Sequence, residues 1–511
     1  MTSRMRCGTQ TEEASRGTGK RAKSEATRDG LWAVLAEHST EGVAVVETAS
    51  GTWGTEAQGT HGREGEAGRD NRRKETTGET LSSPTVSTKL RRIAEQARND
   101  PGRVFTTLAH LIDVEFLHEA YRRTRKDAAP GPDGVTAAQY AEHLDGNLLD
   151  LHGRLRSGRY RAPPAKRVWI EKDDGSQRPI SIPAFEDKIA QRAVAMILGA
   201  VYEQDFYDFS HGFREGHSPH QALSELRERC RQTDVAWIVD ADVAGFFDNL
   251  DWGLLINIIK QRVNDGGILR LIGKWLNAGV LDGATLLHPD KGTPQGGVIS
   301  PTLSNIFLHH VLDQWYVRDV RPRLGGRSFL VRFADDFAIG CEREDDAQKV
   351  MGVLPKRFGR FKLTIHPTKT TLVRFQKPTS RTEVDRENGT FDFLGFTHFW
   401  DRSRRGYWVI KRKTARKRLH RTMKSLWRWC RDHRHWKLPE QHQMLSQKLR
   451  GHYQYFGIRG NYKMLEVVME HTEKAWRYWL GHRSNKRVTW DRFERIRELF
   501  PLPKPRIIHA I

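Results

Sequence analysis

The sequence predicts an α+β region followed by an all-helical one, and two observations carry that reading. Between residues 130 and 400, apolar strand-like runs at Val235 to Val239, Ser328 to Ala334 and Leu372 to Phe375 alternate with helical stretches such as Asp187 to Val201 and Ser300 to Trp315. Beyond residue 401 the composition changes: residues 402–490 hold 24 Lys or Arg against five Asp or Glu and are dense in Trp and Tyr.

Residues 1–85 are rich in Gly, Thr, Glu, Ser and Arg, with one apolar patch from Leu31 to Val46. Such a segment buries too little surface to offset the entropy of ordering it, so it is expected to be disordered. Order begins near Ser87, where Leu90, Ile93 and Ala97 recur at helical spacing, and Val104 to Tyr121 reads as a second helix. The helix at Ser300 has Ser300 as its expected cap and Pro301 in the first turn, followed by the stripe Leu303, Phe307 and Val311. In the basic region Leu445, Leu449, Tyr453 and Phe456 lie on one amphipathic face, and Met464, Val468, Ala475 and Trp479 on another.

The net charge of +22, of which +19 falls in residues 402–490, draws the chain to polyanions. A membrane is not expected as a partner, because no apolar run approaches the roughly 18 residues that span a bilayer. Met1 to Gly30 lacks the apolar core of a signal peptide. Cys7, Cys230, Cys341 and Cys430 have no paired spacing, and His433, His435 and His442 match no ligand set. These features fit a reducing cytoplasm, with nucleoid association when bound to target DNA.

Chemistry concentrates in three places. Phe329 to Ile339 places Asp335 and Asp336 between two apolar runs, which reads as a tight hairpin with both acids at the bend. Adjacent carboxylates in a poorly solvated site repel each other unless a cation neutralises them. Asp242 ends a second apolar strand, so two strands can build a three-carboxylate Mg²⁺ site suited to two-metal phosphoryl transfer. Third, the Gly pair in Gly292 to Pro301 lets backbone approach a ligand closely.

In order and spacing these blocks resemble reverse transcriptases. Asp242 with Phe247 is similar to the first catalytic block, Pro294 to Pro301 to the second, and Phe333-Ala334-Asp335-Asp336 to the third, with Phe333 where the family usually has Tyr. Flanking blocks narrow the resemblance to group II intron-encoded reverse transcriptases and maturases of the bacterial type: Gly131 to Val135, Lys172 to Pro183, His211-Gly212-Phe213-Arg214 with His217 to Leu223, Leu363 to Thr370, and Phe391 to Gly395. The resemblance covers residues 88 to 505. No paired cysteines of an HNH endonuclease follow Pro503, so mobility is expected to prime from an existing 3′ end.

The resemblance implies a right-hand polymerase: fingers over 86–234, a palm with an antiparallel sheet over 235–400, an α-helical thumb and maturase domain over 401–490, and a tail over 491–511. It makes Asp242, Asp335 and Asp336 the metal carboxylates, binding two Mg²⁺ ions with Mn²⁺ able to substitute. Lys369 becomes a general acid toward pyrophosphate. Lys172 and Arg178 become triphosphate contacts. Val243, Gln295 and Gly296 line the nucleotide, and Phe247 is a steric gate against a ribose 2′-hydroxyl. Arg416, Lys417, Arg418 and Arg421 belong to the RNA-binding surface, beside aromatics that suit structured RNA. The implied partners are group II intron RNA, an RNA template with a DNA primer, target DNA and dNTPs. Two rivals remain: an RNA-binding maturase without polymerase activity, against which the intact acid triad speaks, and a domesticated reverse transcriptase of phage defence or a CRISPR locus, against which the maturase-like segment speaks.

Overall fold

The computed structural model describes residues 85–171, 177–293, 295–378, 389–483 and 488–511. The disorder expected of residues 1–84, and Lys172, lie outside that range. Helices α1 (Val86–Asn99), α2 (Val114–Arg123), α3 (Ala137–Ala141) and α4 (Leu144–Arg156) lead to β1 (Ala165–Glu171) and β2 (Gln177–Ile182), then α5 (Phe185–Tyr202) and α6 (Pro219–Gln232). There follow β3 (Trp237–Ala241), α7 (Phe246–Asn249), α8 (Trp252–Lys260), α9 (Gly266–Asn277), β4 (Val280–Asp282), β5 (Thr285–Leu287) and α10 (Ser300–Leu308), which continues in wide turns to Val320. The chain goes on through β6 (Ser328–Phe333), β7 (Asp336–Cys341), α11 (Glu344–Arg360), β8 (Thr371–Arg374), β9 (Phe391–Phe393), β10 (Phe396–Arg402) and β11 (Trp408–Thr414). It ends in α12 (Arg416–Asp432), α13 (Leu438–Phe456), α14 (Tyr462–Gly481) and α15 (Trp490–Leu499).

The α+β expectation holds. The central sheet has the order β6-β7-β3-β8 and is antiparallel throughout. Its strands alternate with period two, and both faces are covered. Val239, Ala241, Leu330, Phe337 and Ile339 enter the main helical core, while Ile238, Phe329, Val331 and Ala338 pack with Leu223 and Leu226 of α6 and Phe396 of β10. A third core, built on Leu445, Leu449, Leu465, Val468 and Trp476, holds the C-terminal helices together. Each such side chain removed from water contributes about 1.5–3 kcal/mol. Among the described residues, no helix is long and apolar enough to cross a membrane.

Several expectations need correction. Residues 104–121 are not one helix. Phe105 bridges to Val263, the backbone N–H groups of Leu108 and Ala109 donate to Asp265, and Asp113 accepts from Phe116 N at 2.9 Å to start α2. One local acceptor, Asp113, and one more than 150 residues away, Asp265, thus interrupt a stretch whose apolar spacing alone reads as helical. Ser300 does not cap α10: Ile299 stands at the cap and Ser300 is the first helical residue, with Pro301 behind it. β4 and β5 join β1 and β2 in one sheet of order β2-β1-β4-β5. Residue 400 lies inside β10, and the basic region opens as a hairpin rather than a helix. The last segment is built in: Phe493 and Leu502 are buried, and Ile508 N donates to Gly457 O at 2.7 Å.

Candidate active site

Period two places Ile238, Asp240 and Asp242 on one face along β3. The β3–β7 register pairs Asp240 with Ala338 and Ala241 with Phe337, so one further step sets Asp242 opposite Asp336. β6 and β7 close through Ala334 and Asp335, with Phe333 paired to Asp336. The bend therefore carries Asp335 alone, while Asp336 opens β7. Three carboxylates meet at one end of the sheet, and Asp240 stands one pleat behind.

The electrostatics match that crowding. Burial, then the charge of Asp242, pushes the Asp335 carboxyl up to about 6. Burial, then Asp335, Asp242 and Asp240, raises Asp336 well above the usual range. Burial, then Asp392 and Asp242, lifts Asp240 to about 7. Asp335 Oδ1 is buried with no hydrogen-bond partner. Such oxygens are costly unless a cation meets them, and hard carboxylate donors suit a hard divalent ion. Among the described residues no three His, Cys, Asp or Glu side chains form a ready-made ligand cage. Instead, Asp242 holds the Lys369 ammonium at 3.1 Å.

The predicted positive groups divide in two. Arg178, half-buried on β2, lowers the Asp335 carboxyl by its charge. On α12, Arg416 and Lys417 are exposed, but Arg418 and Arg421 are half-buried, and the Arg418 charge acts on Asp336. Part of the expected RNA surface therefore faces the carboxylates. The join is made at the turn between β9 and β10, where Tyr455 of α13 donates to Leu394 O at 2.8 Å and Ala415 N to Gly395 O at 2.9 Å.

The loop around residues 292–297 bridges β2 to α7. Ser181 N donates to Gln295 O at 2.6 Å, and Thr293 N to Phe247 O at 2.7 Å. Gln295 also donates from Nε2 to Asp248 Oδ1 at 3.2 Å. Gly296 adopts φ +114, and a Cβ there would stand 2.3 Å from Ser181 O, so only glycine fits. Phe247 is half-buried, with its backbone pinned by Thr293. Val243 is buried and bridged to Ile365, so its side chain belongs to the core beneath the site.

Sequence reasoning missed the support under the bend. Arg332 is fully buried, donates to Ala334 O at 2.9 Å and to Asn305 Oδ1 at 3.1 Å, and is paired with Asp313. Asn305 in turn donates to Gly212 O at 2.6 Å. Gly212 lies against the bend so closely that a Cβ would fall 2.1 Å from Ala334 N. Ala334 itself sits at φ 56, a conformation unfavourable for a non-glycine residue. The readable signal was an arginine inside an otherwise apolar strand.

An antiparallel sheet that gathers three carboxylates at one end, beside a glycine loop and a basic helical region, defines a template-dependent nucleotidyl-transfer enzyme. The comparisons agree. Residues 170–398 match the family described as reverse transcriptase (RNA-dependent DNA polymerase). Protein YkfC of Escherichia coli is 32% identical over 360 residues, which is 63% of this chain and 90% of that protein. Group II intron-encoded protein LtrA of Lactococcus lactis is 34% identical over 233 residues, 45% of this chain and 38% of LtrA. Nuclear intron maturase 1 of Arabidopsis thaliana is 31% identical over 90 residues, 18% of this chain and 12% of that protein. The alignments thus span under half the length of these last two relatives. The chain belongs to the reverse transcriptase family, in its group II intron-encoded branch, and is an RNA-directed DNA polymerase of the kind that depends on divalent metal.

Proposed function

We propose that the chain copies group II intron RNA into DNA from a primer 3′ end and assists that intron's splicing and mobility. The observation that carries the reading is the convergence of Asp242, Asp335 and Asp336, with the Asp335 and Asp336 carboxyls held above their usual range and Asp335 Oδ1 unpartnered. The three would hold two Mg²⁺ ions, or Mn²⁺ in their place. Bound there, the ions would supply activation of the 3′-hydroxyl and charge neutralisation at the leaving pyrophosphate.

The chain's own groups do the rest. Arg178 and Lys172 contact the triphosphate, Gln295 and Gly296 line the nucleotide with the Val243 backbone, and Phe247 excludes a 2′-hydroxyl. Lys369 leaves Asp242 to meet the triphosphate and donates a proton to pyrophosphate. In a right-hand arrangement the fingers extend over 86–234, the palm over 235–400 and the thumb over 401–490. Intron RNA, RNA template with DNA primer, target DNA and dNTPs are its partners in the cytoplasm and at the nucleoid. Arg416, Lys417, Arg418 and Arg421 meet RNA phosphates.

Primer extension on poly(rA)/oligo(dT) tests the reading. Asp335→Asn should abolish extension while intron RNA binding and splicing persist, because binding a folded RNA needs the surface and not the carboxylate. Robust extension by the variant would overturn the triad. Splicing unchanged by Ala at Arg416, Lys417, Arg418 and Arg421 together would overturn the maturase half.

A further inference from the structure

The β10–β11 hairpin places a basic, aromatic tip far from the polymerase chemistry. Its open end lies toward the catalytic end of the central sheet: β10 begins at the turn joined to Tyr455 and pairs Phe396 with Thr414, and Asp392 of β9 is near enough for its charge to act on Asp240. It then runs along the sheet: Trp400 Nε1 donates to Phe375 O at 2.9 Å, and Phe375 N donates to Ala236 O at 2.7 Å, beyond the β3–β8 pair Trp237 and Arg374. That is the end of the sheet opposite Asp242 and Asp336. Six residues separate Phe396 from Arg402, so at about 3.3 Å per residue the tip stands about 20 Å from the turn at Gly395.

The tip is chemically distinctive. Residues 401–413 hold six Lys or Arg and one acid, Asp401, which is paired with Lys411 at 2.9 Å. Ser403 N donates to Tyr407 O at 2.8 Å and Gly406 N to Ser403 O at 3.0 Å, closing an ordered turn. On that turn Arg404, Arg405 and Gly406 are exposed, and Tyr407 leaves 70% of its surface open to water. Below it the Arg402 guanidinium lies 5.0 Å over the Trp408 ring, and Lys413 Nζ lies 5.0 Å over Phe399. Exposing a tyrosine on a well-ordered turn while pairing the neighbouring rings with cations leaves one aromatic face available for stacking.

We propose that this tip, Arg402 to Trp408, binds unpaired nucleotides of a folded RNA, with Tyr407 stacking on a base and Arg404 and Arg405 meeting the adjacent phosphates. A convex point that offers a ring between cations suits splayed-out loop bases, whereas a duplex would meet only the cations. The position at the far end of the sheet lets this contact form while the catalytic end holds primer and template. The inference rests on the maturase reading above and adds a second, separate RNA contact to the α12 surface.

The test uses the full-length chain and two probes, an RNA stem-loop with an unpaired A-rich loop and the same RNA as a full duplex. Tyr407→Ala should weaken stem-loop binding about tenfold with little change for the duplex, and Tyr407→Phe should restore it, since stacking needs the ring and not the hydroxyl. Arg404→Ala with Arg405→Ala should flatten the log–log salt dependence by about two units. Extension on poly(rA)/oligo(dT) should stay at the parent rate in all of these, which also reports that they are folded. Parent-like stem-loop binding by Tyr407→Ala would overturn the proposal. Equal losses on stem-loop and duplex, or a matching loss of extension, would also overturn it, the latter by placing the tip on the template track. An Arg416→Ala, Lys417→Ala variant run alongside separates the two readings. If it loses RNA binding while the tip variants do not, the maturase reading stands and this inference fails; if neither loses binding, both fail.

Discussion

Arg332 and Asp313 face each other at 2.6 Å with neither side chain reaching water. One arm of that guanidinium also holds the Ala334 carbonyl, so the pair is both a core element and the prop beneath Asp335. These two roles can be separated. Arg332→Met leaves Asp313 buried with only the His309 imidazole, 3.6 Å away, beside it and should cost about 3–5 kcal/mol of stability. The double variant Arg332→Met, Asp313→Leu should recover most of that loss in chemical denaturation. It should still polymerise poorly, because nothing then bonds the Ala334 carbonyl. Parent-like extension by the double variant would show the bend needs no brace.

Gly212→Ala should act on the same bend from the other side. The added methyl would collide with the Ala334 backbone N and Cα, so the turn must shift. The expectation is a fall in kcat of about a hundredfold, since a misplacement of about 1 Å costs that much. KM for dNTP should change little. Single-nucleotide addition kinetics would reveal an unmoved kcat if the packing could relax.

Phe247→Ala should admit ribonucleotides. Phe247 is half-buried and its backbone is bonded to Thr293, so removing the ring should open space at the proposed nucleotide position without freeing the loop. The ratio of rNTP to dNTP incorporation should rise severalfold or more. A ratio equal to the parent's would place the gate elsewhere.

His398 gives a pH signature. It is 1% exposed, stacks on Phe391 at 4.9 Å, and burial holds its imidazole down at about 3. The folded state therefore keeps it neutral while the unfolded chain protonates near 6.5. Stability from this group is fully present above pH 6.5 and is lost as pH falls toward 3. His398→Phe, which keeps the stack, should remove that loss. At pH 4.5 the variant should gain about 2–3 kcal/mol relative to the parent beyond any difference at pH 7. Denaturant titrations at the two pH values that gave the same difference would refute a buried neutral imidazole. The raised carboxyls of Asp240 and Asp335 work in the opposite sense, so the comparison must be made between variants and not on the parent alone.

The strand Ser328–Phe333 was legible almost to the residue, because alternation and a flanking acid pair leave one reading of it. The carboxylates were legible for the same reason: period two and the order of the blocks fix which face and which end they share. What escaped the sequence was tertiary. Nothing local tells that Arg332 finds Asp313 nineteen residues earlier, or that β4 joins β1 in parallel across more than a hundred residues. The β10–β11 hairpin was hidden by its charges, since Lys and Arg on an exposed strand look, in composition, like the solvated side of a helix. The Val104 to Tyr121 stretch failed in the other direction, where apolar spacing suggested a helix that Asp113 and Asp265 interrupt by taking backbone N–H groups.

The loop from Gly292 to Gly297 is fastened at one end to Ser181 on β2 and at the other to the backbone of Phe247. It has no slack at Gly296, where the Ser181 carbonyl fills the space a side chain would need. Any displacement of the β1–β2 hairpin is therefore delivered to Phe247, the residue proposed as the sugar gate, as through a short lever. With Phe247 as the proposed gate, choosing the sugar and admitting the nucleotide would become one motion, and a substitution that loosens the loop should erode speed and sugar discrimination in proportion to each other.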